Sequence, residues 1–86
     1  MDVLQEKVFE AVRKQAWHRR DLALTLATKL ADELEFDLLA RVQLGIRLEY
    51  SLRIEIPDTQ LGQWRTVADV LACVRRQLPT GSPTGT

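Results

Sequence analysis

Apolar residues recur every three or four positions in three stretches of this chain, and they alternate in two shorter ones. Val3, Leu4, Val8, Ala11 and Val12 fall at helical spacing, with Phe9 at the border of the stripe. They predict an amphipathic helix from Asp2 to about Trp17. Asp2 stands where an N-cap belongs, and Arg13 and Lys14 suit the negative end of the helix dipole. The cluster Trp17-His18-Arg19-Arg20 then breaks the pattern. Leu22, Leu24 and Leu26 alternate, while Leu22, Leu26 and Leu30 match one face of a helix. Periodicity leaves loop and helix both open over Leu22–Leu34, and the lack of Gly or Pro favours some helix.

Asp37 reads as the N-cap of a helix running to about Leu52, with Leu39, Val42, Ile46 and either Leu48 or Tyr50 facing inward. Gly45 costs this helix roughly 1 kcal/mol relative to Ala, which a close approach of another helix would explain. Arg53-Ile54-Glu55-Ile56 alternates like a strand but stops at Pro57, so a short extended connector is expected. Thr66 caps a last helix to Gln77, on which Val67, Val70, Leu71, Val74 and Leu78 form an apolar stripe. The expected organisation is one all-α domain over residues 1–78, a three- or four-helix bundle with a long first connection. Residues 79–86, rich in Pro, Gly, Ser and Thr, are expected to be a disordered tail.

Composition narrows the function classes. The chain has 12 basic and 12 acidic residues, divided evenly between its halves, so the basic footprint usual for nucleic-acid binding is missing. No apolar run approaches the ~20 residues of a membrane span, and the first residues lack the features of a signal peptide. The lone Cys73 excludes a disulfide within one chain and fits a reducing compartment. A cytoplasmic protein is expected. Cys73 and the only histidine, His18, have no partners at catalytic or metal-ligand spacing, so they read as a buried small hydrophobe and a solvated turn residue. Neither an enzyme nor a metal site is expected. Asp32, Glu33, Glu35 and Asp37 are explained by charge complementarity and capping at a helix start. Trp17 and Trp64 are expected to plug the ends of the bundle, and Arg75 and Arg76 to complement a helix end.

The stretch from Leu30 to Val74 resembles the acyl and peptidyl carrier proteins. That family has a loop ending in Leu-Gly-x-Asp-Ser-Leu, then an amphipathic second helix. A hydrophobic-Glu-Ile-Pro connector and a Thr-Val-x-Asp helix start follow. This chain reads Leu34-Glu35-Phe36-Asp37-Leu38-Leu39, then Ile54-Glu55-Ile56-Pro57-Asp58, then Thr66-Val67-Ala68-Asp69-Val70. The resemblance implies a carrier-like helical bundle. In the family the serine of the first block bears 4′-phosphopantetheine, whose thiol carries acyl groups. Leu38 holds that position, Glu35 holds that of the motif glycine, and the nearest hydroxyls, Thr28 and Ser51, lie ten or more residues away. Attachment needs a hydroxyl nucleophile, so no cofactor is expected as the chain stands; 4′-phosphopantetheine would follow only if Leu38 were serine.

The second helix of the family is acidic on its exposed side. Here the corresponding positions include Ala40, Arg41, Gln43 and Arg47, with Glu49 the main acid. Arg41, Arg47 and Glu49 are therefore candidate docking residues for an acidic partner surface. The resemblance implies a binding module that docks on an enzyme of acyl or thiotemplate metabolism without carrying a substrate. Alternatives are a working carrier whose serine has been replaced by Leu38, and an unrelated small helical interaction domain. Leu38 itself reads as natural loss, as an engineered block, or as a packing residue, and beside Phe36 it would add to an exposed apolar spot.

Overall fold

Capping chemistry sets the helix boundaries. The computed structural model describes residues 3–19 and 21–78, so the expected Asp2 cap and the 79–86 tail lie outside the described residues. Helix α1 spans Val3–Gln15 and buries Val8, Ala11 and Val12, as its periodicity predicts. Ala16 is buried behind it, and Trp17–Arg19 form a single 3-10 turn. Helix α2 spans Leu38–Leu52. At its start the Ala40 N–H donates to Asp37 Oδ1 at 2.8 Å, and at its end Arg53 takes a left-handed φ of 55° while its N–H donates to the Glu49 carbonyl. Residues Ile54 to Ile56 have no regular secondary structure and pair with no strand, and both isoleucines are buried, so a short connector stands where the residues alternate like a strand. Pro57 then opens a single helical turn, α3, at Asp58–Leu61. Helix α4 spans Val67–Gln77 behind a full capping box of Thr66 and Asp69. Among the described residues these four helices make an all-α bundle with no strand.

The long first connection is not helical. Residues 21–37 run as turns and irregular chain, against the expectation of some helix over Leu22–Leu34. The reason lies in where its carbonyls go. The Val67 N–H donates to the Thr28 carbonyl at 3.1 Å, and the Ala68 N–H to that of Leu26 at 2.9 Å. The Leu30 N–H returns to the Arg65 carbonyl at 2.9 Å. The first N–H groups of α4 have no partners within their own helix, and the connection supplies them. Leu30 and Leu34 anchor it in the core.

That core is built from Val8 and Val12 of α1, Leu30 and Leu34, Leu44 and Leu48 of α2, and Val67, Val70 and Val74 of α4, all fully buried. Cys73 is buried too, its Sγ donating to Gln60 Oε1 of α3. Gly45 sits where a Cβ would come within 2.9 Å of Leu61 Cδ2, which is the close approach its place in the helix required. Trp64 plugs the bundle at 2% exposure, but Trp17 does not, being 71% exposed with its ring edge-on to His18.

The inward face of α2 is corrected in part: Leu48 is buried as expected and Val42 packs against the core, but Leu39 and Ile46 do not. Leu44, Gly45 and Leu48 are buried, whereas Leu39, Ile46 and Tyr50 face away from the core and Val42 is half-buried. At 3.6 residues per turn, Leu44-Leu48-Leu52 and Leu39-Ile46-Tyr50 each make a continuous row, and the two rows lie nearly opposite. Periodicity cannot choose between two complete rows. The leucine row lies beside Gly45, which Leu61 of α3 approaches closely, and it is the one turned inward, with Leu44 and Leu48 fully buried and Leu52 half-buried.

Candidate docking site at the second helix

Leu34 and Phe36 both point into the core, at 0% and 2% exposure, and the Phe36 N–H is held by the Leu30 carbonyl at 2.8 Å. Pinning the residues on either side turns Glu35 outward with φ 60°, a left-handed conformation that favours glycine. Its carboxylate meets Arg19 Nη1 at 2.9 Å on the surface. Asp37 then caps α2, and Leu38 is the first residue of the helix, 60% exposed. The position matching the carrier serine is therefore an accessible helix N-terminus without a hydroxyl. Thr28 is buried, and Ser51 stands near the other end of α2, about 20 Å away at 1.5 Å per residue. A phosphopantetheine ester does not fit the residues present. Phe36 belongs to the core and forms no apolar spot with Leu38.

Along the outer face of α2, Leu39 is 63% exposed, Ile46 57% and Tyr50 89%. Three large apolar side chains in a row on one face are uncommon for a helix with no cover. Toward α1 this row borders a groove lined by Lys14, Trp17, Gln43, Ile46, Arg47 and Tyr50. The floor is fixed by Gln15 Nε2 donating to Gln43 Oε1 at 3.0 Å. Neither Lys14 nor Arg47 makes an ion pair among the described residues.

The three docking candidates separate. Arg47 is exposed beside the groove. Arg41 is half-buried on the other side of the helix, its Nη1 donating to the Trp64 carbonyl at 3.4 Å. Glu49 is half-buried and accepts the Ile56 N–H at 2.8 Å, which ties the connector to α2. Arg41 and Glu49 are thus tied into the fold away from the groove, and the basic flank of the apolar row comes from Arg47 and Lys14. Lys14 and Trp17 were outside the sequence-based site, because nothing local to α2 shows which helix lies alongside it.

No protein-family model matches the chain, and no curated protein matches it. The site rests on its own geometry. The acids at the helix start have separate tasks: Glu33 accepts the Lys29 N–H at 2.7 Å, Glu35 pairs with Arg19, and Asp37 caps α2. Among the described residues no three His, Cys, Asp or Glu side chains gather to hold a metal. No described helix is long and apolar enough to cross a membrane.

Proposed function

We propose that this protein is an acyl-carrier-like docking module, one that binds a cytoplasmic enzyme of acyl or thiotemplate metabolism through α2 and carries no prosthetic arm. The observation that supports this most is the start of α2. Glu35 occupies a glycine-type conformation at the motif glycine, and the exposed first residue of the helix is Leu38. Read as a carrier, this helix start keeps the loop geometry of the motif and lacks its nucleophile. The uncovered row Leu39-Ile46-Tyr50 supports a docking role, since an apolar face of this kind is stabilised by a partner. Arg47 and Lys14 beside it favour acidic groups on that partner.

A second reading, a working carrier whose serine has been replaced by Leu38, draws on the same intact Asp37 cap. Mass spectrometry after incubation with a promiscuous phosphopantetheinyl transferase and coenzyme A tests both. The native chain should gain no mass. Leu38→Ser should be modified partially, and Leu38→Ser with Glu35→Gly more fully. A mass gain by the native chain would overturn the loss of carrier chemistry. Complete refusal by the double variant would remove the carrier resemblance from the reading, and full modification of Leu38→Ser alone would favour the replaced carrier.

A further inference from the structure

The first connection, α2 and the segment before α4 form a cleft lined by residues that include Lys29, Asp32, Arg41, Trp64, Arg65 and Thr66, none of them shared with the α1–α2 groove. Lys29, Arg41 and Arg65 line it together with Asp32, and none of the three cations makes an ion pair among the described residues. The Glu33 and Asp69 carboxylates accept backbone N–H groups of Lys29, Arg65 and Thr66. Two donors in its lining residues are anomalous. Arg41 Nε and Trp64 Nε1 are both buried and have no hydrogen-bond acceptor, while Trp64 as a whole is 2% exposed. Buried donors without acceptors are rare and call for an explanation at the site. Arg41 Nη1 is anchored on the Trp64 carbonyl. The guanidinium edge carrying Nε and Nη2 is the one suited to gripping two oxygens of one oxyanion. No described protein group accepts from either donor.

We infer that this cleft is a binding site for a phosphate-type oxyanion, held by the free edge of Arg41 and the indole N–H of Trp64, with Lys29 and Arg65 supplying charge at its mouth. A tetrahedral oxyanion can set two oxygens on the Arg41 fork and a third on the indole N–H, which a planar carboxylate with two oxygens cannot. The site is separate from the docking row on α2, so it stands or falls independently of the function proposed above.

The two tryptophans make the test internal to one sample. Inorganic phosphate is titrated at fixed ionic strength while the indole N–H resonances of Trp64 and Trp17 are followed by NMR; acetate and chloride are run in parallel. The expected result is a saturable shift of the Trp64 resonance with phosphate, no comparable shift at the exposed Trp17, and weaker or no response to acetate. Arg41→Lys keeps the charge and loses the fork, and should weaken binding roughly ten-fold. Lys29→Gln and Arg65→Gln change exposed side chains, spare the fold, and should each weaken it several-fold. A Trp64 resonance unmoved by phosphate overturns the proposal. So do equal shifts at both indoles, a response confined to acetate, or equal affinity in all the variants.

Discussion

Glu35 holds its backbone at φ 60° because Leu34 and Phe36 are both locked in the core on either side of it. A side chain in that region costs about 1–2 kcal/mol, and glycine escapes most of the cost. The exposed contact with Arg19 offsets little, since surface ion pairs contribute about 0–1 kcal/mol. Glu35→Gly and Glu35→Ala both lose that contact, so their difference isolates the backbone. Glu35→Gly should be the more stable in urea melts by about 1 kcal/mol, less glycine's own entropy cost. Equal midpoints would mean that the loop relaxes out of the left-handed region. On α2, burial separates residues that look alike in sequence. Leu44→Ala should destabilise by about 2–5 kcal/mol through lost burial and a cavity, and Val70→Ala by about 1–3. Ile46→Ala, on the exposed row, should change stability by less than about 0.5 kcal/mol.

Thr66 and Asp69 do more for the fold than start one helix. Thr66 Oγ1 accepts the Asp69 N–H, and Asp69 Oδ2 accepts the N–H groups of Arg65 and Thr66 at 2.9 and 3.0 Å. That fixes the strip of chain which the first connection meets through Lys29 and Thr66. Thr66→Ala should cost about 0.5–2 kcal/mol. It should also speed hydrogen exchange at the Leu30 and Val67 amides, whose partners lie across the seam; unchanged exchange there would show that the connection holds without the cap. Caps of this kind are written within four residues, which is why the bounds of α2 and α4 were legible in the sequence. The first connection was not, because its hydrogen bonds run to residues more than thirty positions away. The face of α2 was ambiguous for another reason: two apolar rows satisfied the same helical period. The candidate site was legible at Leu38 and Asp37, where it is local. The bonds that Arg41 and Glu49 make within the fold were not legible, because they depend on Trp64 and Ile56 folding back against α2.

At the scale of the whole molecule, the helices enclose one core and leave one large apolar row outside it. The paired change Ile46→Ser and Tyr50→Ser should leave helicity and stability near native, because neither side chain supports the core. It should abolish capture of the specific partner enzyme from the source cell. Lys14→Glu with Arg47→Glu should instead slow association and reduce its salt dependence, since charges at a rim mainly steer encounter and are screened beyond about 8–10 Å. Identical capture by native and serine variants would leave the row as surface.

Cys73 is the chain's single thiol, and it is sealed between α4 and the one-turn α3 with its Sγ on Gln60. A disulfide-exchange reagent can reach it only when that seam parts, so labelling behaves as a clock on opening. In reagent concentrations where reclosing is fast, the labelling rate reads the equilibrium population of the open form. Helix α3 is four residues long and closes over Gly45 through Leu61, so it is the element with least to hold it. Labelling that outruns global unfolding would show α3 lifting off alone, and Gly45→Val, which crowds Leu61, should quicken that clock before it lowers the midpoint of the urea melt.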